Sequence, residues 1–519
     1  MYISPETNIK LLKNVKLDNT YNHTIYFNNA NLQQSFFNSK VKHNLTNCTY
    51  QRIEKNMIKV GLNAEKCYDC NYLMFQNTAF GNKWFYAFIT SVEYINNVTT
   101  EIYFEIDVMQ TWFFDYETNI CFIEREHVID DVLGRHYEPE PVSLGEYIFN
   151  DYGEVISLVD MSVIIAIVDT ADATDGTLYD GIYGSAKLFA YDSTDTQAIN
   201  AKVNEYVQKP DAIIGMYMCP KKFIGEYTDT HQISFGGSAI KQIARATQLN
   251  STMGLQGYIP KNRKLYTYPY NFYHIDNASG SELSLRYEFF ENFTPVFEIA
   301  GCITQPVQVT LRPCEYKGSG TYSELGGHIT YNAECLSLNN FPLCSWNVDA
   351  YQAWIAQNSV PVAISSLTYG AGLAATALSA TPGVGVAIGA VALAARSLSQ
   401  AYQASISADI SKGNLNNGSV NVANNKQTFY GGRCSITQYT ARCIDEFFDR
   451  FGYAVNRLKN VQRNYRPHWN YVKTGGCSIT GSVPADDMKK IISIYDNGIT
   501  FWNNGNEIGD YSLNNEKRS

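Results

Sequence analysis

No charged side chain occurs between Asp349 and Arg396, a neutral run of 46 residues in a chain of 519. Whatever the chain folds into must put that run somewhere. Its centre, GAGLAATALSATPGVGVAIGAVALAA from Gly370 to Ala395, is nearly all small or apolar. As one helix the run would measure ~69 Å at about 1.5 Å per residue, against a bilayer core of about 30 Å that takes ~20 residues to cross. Two crossings therefore fit, with Pro382 and Gly383 where a hairpin would turn. Gly370 with Ala374, and Gly385 with Gly389, put small residues four apart, which lets apolar helices approach closely. The candidate membrane-active residues are Leu367, Leu373, Leu378, Pro382, Gly383, Val384, Gly385, Val386, Ile388, Gly389, Val391 and Leu393. Because Ala and Gly dominate, insertion would be marginal, and a buried helical hairpin or a flexible Ala/Gly loop is the competing reading. A segment that is first hidden and later meets a membrane satisfies both observations.

The rest of the chain reads as globular and strand-rich. Hydrophobic residues make up 45%, aromatics 13% including 38 Tyr, and charged residues 17%. A net charge of −10 argues against a nucleic-acid binder, which needs clustered Lys and Arg. The N-terminus, MYISPETNIKLLKNVKLDNTYNHTIYF, lacks the layout of a secretory signal, so folding in a cytoplasm is expected. The 12 Cys are then expected as free thiols.

Strand signals concentrate at the two ends. GNKWFYAFITSVEYINNVTTEIYFEIDVMQTW, Gly81 to Trp112, predicts two long strands around Asn96-Asn97. In the second, Ile102, Phe104, Ile106 and Val108 share one face and Glu101, Tyr103, Glu105 and Asp107 the other. The acidic face is either simply solvated or the wall of a channel, with Glu101, Glu105 and Asp107 as lumen-facing candidates. Near the C-terminus, IISIYDNGITFWNNG places Asn497-Gly498 between apolar runs, the pair that suits a type I′ hairpin. SITQYTARCIDEFFDRFGYAVNRLK predicts a strand running into an amphipathic helix, with Ile444, Phe447, Phe448 and Phe451 at helical spacing. Between Asp151 and Trp346, runs such as VISLVDMSVIIAIVD, FTPVFEIAG and PVQVTLRP predict many short strands. The fold class is therefore mainly β with some helix, α+β. The expected divisions are 1–150, 151–346, 347–424 and 425–519, the third holding the apolar run.

A search for chemistry returns little. Cys67 and Cys70 have zinc-ligand spacing, but no second close pair follows, and a loop with two free thiols is the better reading. PGVGVAIG, Pro382 to Gly389, lacks the strand before it and the glycine spacing of a dinucleotide loop. Glu124, Glu126 and His127 in FIEREHVIDD could serve as acid and base, yet no nucleophile or oxyanion donor accompanies them. No catalytic residue, metal site or cofactor is expected.

The Gly81 to Trp112 string, FIEREHV at Phe122 to Val128, NYLMFQN at Asn71 to Asn77 and YDNGITFW at Tyr495 to Trp502 resemble a known family. These are the tail knob, or distal tail tube, proteins of small short-tailed picovirus-like bacteriophages of Gram-positive hosts. The resemblance covers roughly the first 150 and the last 90 residues. It implies a β-rich tube domain built from both chain ends, assembled as a homohexameric cylinder at the distal end of the virion tail, against proximal tail tube and collar proteins. Genomic double-stranded DNA would leave through it without specific binding. It also implies that a late apolar loop plugs the tube and later perforates the host cell membrane, which is where residues 350–410 fall. A free pore-forming protein, or a receptor-binding tail adhesin or hydrolase, is the alternative. The first would ordinarily carry an export signal, and the second would not need 46 neutral residues.

Overall fold

The computed structural model describes residues 7–48, 56–78, 81–168, 186–206, 212–233, 240–303, 307–317, 335–339, 341, 343–344 and 428–516. Strands dominate, as the composition and periodicity predict. The chain divides into two compact units. The first comprises Met1–Gly145, Gly257–Thr267 and Thr437–Ser519; the second comprises Glu146–Gln256 and Tyr268–Ile436.

The first unit contains a six-stranded antiparallel sheet ordered Val41–Cys48, Thr7–Leu12, Tyr72–Asn77, Phe85–Asn96, Thr99–Ile106, Met57–Val60. Its central strands are apolar on both faces, because side chains alternate and each face meets a different core. Leu12, Tyr72, Met74, Tyr86 and Phe88 enter one cluster. Ile9, Leu11, Leu73, Ala87, Ile102 and Phe104 enter the other, where Cys67 and Cys70 also lie. The hairpin turns at Asn97-Val98, one residue beyond the Asn96-Asn97 expected from the sequence.

A five-stranded sheet is the second large sheet of the unit, ordered His23–Ile25, Ile499–Trp502, Trp469–Gly475, Cys121–Glu126, Tyr453–Lys459. His23–Ile25 runs parallel to Ile499–Trp502, so the two ends of the chain share hydrogen bonds. They also share one core. Tyr72, Phe88, Val108 and Ile123 pack in the same cluster as Trp469, Ile491, Tyr495 and Trp502, and the two indole rings lie 5.3 Å apart.

Asn497-Gly498 does not form a hairpin. Ala485–Asn497 is a helix, with Ile491, Ile494 and Tyr495 buried at helical spacing and Asp486 and Asp487 in its first turn. Gly498, at φ +94°, ends it: its N–H donates to Ile494 O at 3.1 Å and the chain enters Ile499–Trp502 directly. The left-handed conformation that suits the second residue of a tight turn also suits a helix C-terminus, which is why the pair misleads. The strand-to-helix expectation holds, as Phe429–Ile436 followed by Gln438–Phe451. In that helix Ile444 and Phe448 are buried. Phe447 instead carries the Arg125 guanidinium at 4.7 Å, and Phe451 meets Tyr471 edge-on at 5.2 Å.

Among the described residues the second unit holds three sheets. One orders Gln232–Ile233, Ala186–Asp192, Met161–Val168, Ile213–Pro220 and Leu343–Cys344. A second orders Ile240–Arg245, Val296–Cys302, Gln308–Cys314 and Leu336–Leu338. In the third, Phe429–Ile436 pairs on one side with Asn271–Asp276, which continues to Glu282–Leu285, and on the other with Tyr147–Phe149 and Gly153–Ile156. No described helix is long and apolar enough to cross a membrane. The neutral run, with all twelve candidate residues from Leu367 to Leu393, lies outside the described residues.

Candidate functional site

The acidic face of strand Thr99–Ile106 forms as alternation dictates: Ile102 and Phe104 are buried, and Glu101, Tyr103 and Glu105 are half-exposed on the opposite side. Glu101 stands in register between Lys59 and Glu93 on its neighbouring strands, with Lys59 Nζ 2.9 Å from its carboxylate. Glu105 accepts from Asn19 Nδ2 at 3.1 Å and pairs with Lys490 of helix Ala485–Asn497. Partial burial raises the Glu105 pKa, but the Lys490 and Asn19 hydrogen bonds outweigh it and hold the group below the usual carboxylate range. Each carboxylate has a lysine at one edge.

Asp107 does not belong to that face. The strand ends at Ile106, and Asp107 turns inward with 2% of its surface exposed. It caps the short helix Val108–Thr111, accepting from Met109 N at 3.0 Å and Gln110 N at 3.1 Å, and takes the Tyr72 hydroxyl at 2.9 Å. Burial pushes its pKa up to about 6 against those three hydrogen bonds. A carboxylate committed to a helix cap in the core cannot line a channel, so alternation was extended one residue too far.

At the other end of the hairpin, Tyr94, Ile95 and Val98 are exposed together around the turn. They are the apolar part of an otherwise polar tip.

The acid–base reading of Glu124, Glu126 and His127 has a structural explanation instead. His127 Nδ1 accepts from Tyr471 N at 2.7 Å and its Nε2 contacts Asp449 O at 3.0 Å, so both ring nitrogens serve backbone groups. Burial, aided by Arg466, drives its pKa down to about 3. Such a histidine is a neutral spacer. Glu126 is buried against Lys459, and Glu124 pairs with Lys473 at 2.6 Å. Cys67 and Cys70 are buried free thiols among Ile58, Leu73 and Ile102, and burial pushes Cys70 up to about 11. Thiols so protonated in an apolar cluster make poor ligands. No group of metal-binding side chains occurs among the described residues.

What the sequence did not announce is the clasp that holds Gly257–Thr267 in the first unit. The buried Asp445 carboxylate accepts from Tyr258 Oη, Lys261 N, Asn262 N and Asn262 Nδ2 at 2.6 to 3.0 Å. Nearby, the fully buried Glu140 pairs with Lys264 at 2.6 Å and with Arg125, and accepts from Ala454 N at 2.7 Å. Buried charge is tolerated here because every acceptor faces several donors. Asp445 in ARCIDEFFDR and Glu140 in HYEPEPV lie about 300 positions apart, with no local period to link them.

Comparison with known proteins follows the same geography. Residues 238–516 match the family model of the C-terminal domain of tail knob protein gp9 of Bacillus phage phi29, and residues 5–117 match that of the caudoviral major tail protein N-terminus. Tail knob protein gp9 of Bacillus phage PZA is 27% identical over 599 aligned positions, covering 99% of each chain. That of Bacillus phage phi29 is 27% identical over 601 positions, again with 99% of each covered. The solved structure of the bacteriophage C1 tail knob protein shares the fold, with a TM-score of 0.60 at 15% identity over 98% of each chain.

Proposed function

The chain belongs to the family of the phi29 tail knob protein, whose C-terminal domain model covers more than half of it, and from that premise we propose that it is a structural subunit of the distal tail tube of a podophage virion. Six copies form a cylinder docked on the proximal tail tube and collar proteins, and double-stranded DNA leaves through it. The reading is non-enzymatic. A conduit must not adsorb its cargo, and a chain of net charge −10, with Glu101 and Glu105 on one strand face at the lumen or its rim, disfavours bound phosphate.

The observation that carries the membrane half of the proposal is the neutral run. In a tail knob chain, 46 residues without charge have one economical use: they plug the tube, then leave it and enter the host membrane. Each charge at the centre of a bilayer costs about 2.5–3.5 kcal/mol on insertion scales, and here there is none to move. Low pH can act on the segment only from its flanks, through Asp349 or Asp409, because nothing within it titrates.

Leakage of a dye from anionic liposomes, comparing the full chain with a variant lacking residues 360–395, tests this. Loss of leakage with the oligomer intact supports the assignment. Equal leakage from both proteins contradicts it.

A further inference from the structure

The third sheet of the second unit presents a surface that neither a conduit nor a membrane plug requires. On strand Tyr147–Phe149 the aromatic side chains Tyr147 and Phe149 are 43% and 48% exposed, and Tyr152, just beyond it, is 49% exposed. Register places Tyr147, Phe149, Phe272, His274 and Tyr430 on one face of the sheet, while Ile148, Ile275 and Phe429 alternate to the other. The rings touch in sequence. Phe272 lies 5.2 Å from Tyr147; Phe149 lies 5.3 Å from His274 and 4.8 Å from Tyr152; Tyr152 stacks beside Tyr430 at 5.9 Å and 15°.

The platform is built, not accidental. Between Phe149 and Gly153 the edge strand leaves the sheet and its backbone presses on Gly432, where a Cβ would stand 1.8 Å from Asp151 O. Only glycine accepts that approach, and the excursion lifts Tyr152 onto the aromatic face. Asp151 Oδ1 fixes it by accepting from Arg433 N at 2.5 Å, and the Tyr152 hydroxyl donates to Asp276 at 2.6 Å. Polar groups follow along the same face. His274 Nε2 lies 3.7 Å from Asp276 and 3.8 Å from Glu282, whose carboxylate is largely exposed.

We propose that this face is a saccharide-binding platform that takes pyranose units of a polysaccharide. The C–H face of a pyranose is apolar with a slight positive charge, complementary to the negative face of an aromatic ring. Its hydroxyls donate to carboxylates that retain acceptor sites, such as those of Glu282 and Asp276. Aromatic rings also anchor contacts between copies of a chain, and the sedimentation measurement below separates that occupant from a saccharide. A cation is a worse occupant, since the rings lie side by side along a sheet instead of enclosing a point, and His274 already stands between the two carboxylates. None of these residues belongs to the neutral run.

Affinity electrophoresis of the full chain in native gels cast with neutral polysaccharides, namely dextran, mannan and xylan, tests it without any contribution from charge. The expected result is at least a twofold loss of relative mobility in one of the three. The triple variant Y147A/F149A/Y152A should restore reference mobility while thermal unfolding stays cooperative, because these residues are 43%, 48% and 49% exposed. If the triple variant proves misfolded, Glu282→Gln, an exposed position, should still weaken the retardation. Absence of retardation in all three gels, or equal retardation of wild type and variants, overturns the proposal. So does a triple variant whose only change is a loss of self-association in sedimentation velocity, which would make the rings a contact between copies.

Discussion

The two large sheets of the first unit are built on opposite principles. The six-stranded sheet uses only residues between Thr7 and Ile106, so all of its pairings fall within one contiguous stretch of the chain. The five-stranded sheet draws His23–Ile25 and Cys121–Glu126 from one end of the chain and Tyr453–Lys459, Trp469–Gly475 and Ile499–Trp502 from the other. Yet one face of the first sheet packs into the core that the second closes. Pairing within the N-terminal stretch therefore gives the first sheet its register, and the other end of the chain helps to bury one of its faces. A subunit organised this way can carry a long insertion between its ends, because both ends return to one core.

The strongest way to break that comparison is to remove the distal half. A chain ending at residue 145 keeps all six strands of the first sheet but exposes Tyr72, Met74, Tyr86 and Phe88. Losing the partners of several large buried side chains, each contributing ~1.5–3 kcal/mol, exceeds the usual net stability of a domain. The expected result is an unfolded or aggregating fragment by circular dichroism and amide NMR, rescued by adding back residues 437–519. A fragment that folds cooperatively alone would break the comparison.

Gly498→Ala probes the joint between helix and strand. The position needs φ +94°, and a Cβ there would meet Tyr471 Oη at 2.1 Å. Strain and overpacking together should cost roughly 2–4 kcal/mol, seen as a shift of the denaturation midpoint without a change in slope.

Asp107 gives the junction of the two sheets a pH signature. Its folded-state pKa, about 6, stands above the unfolded value of 3.8, so protonation favours the fold. That contribution is fully present below about pH 4 and is lost as pH rises through about 6, amounting to ~1–3 kcal/mol. Asp107→Asn keeps an N-cap acceptor without the titration. The stability gap between wild type and this variant should move in favour of wild type as pH falls from 7 to 4. A gap independent of pH would mean that the buried carboxylate keeps an ordinary pKa.

At the small end, Glu101→Gln removes a partly exposed pair with Lys59 on the edge strand of the first sheet, and the expected change is ~0.5 kcal/mol or less. A cost several times larger would mean that this face is buried in the assembly.

Legibility followed the same division. The hairpin Phe85–Asn96 with Thr99–Ile106 and the helix Gln438–Phe451 were readable because their periods, two and 3.6, are local. Asn497-Gly498 was misread because glycine's conformational freedom serves both a hairpin and a helix end, and the deciding fact, Tyr495 packing beside Tyr116 more than 370 positions away, is not local. Asp107 was assigned one residue beyond the end of its strand. The interruption of the middle region by Gly257–Thr267 had no signal at all, since it depends on which distant Asp and Glu it meets. The candidate site divides likewise. The acidic strand was visible as alternation, whereas the aromatic face near Tyr152 depends on Gly432, far along the chain.

The claim at the centre of this account is that chain ends brought into one core form the wall of a conduit. Electron cryo-microscopy of the purified full-length protein tests it most directly. The account predicts a six-fold ring around an open or plugged axial channel, with the first unit as its wall and Glu101 and Glu105 toward the lumen. A monomer, or a ring whose axis is surrounded by the second unit while Glu101 and Glu105 face outward, would contradict it.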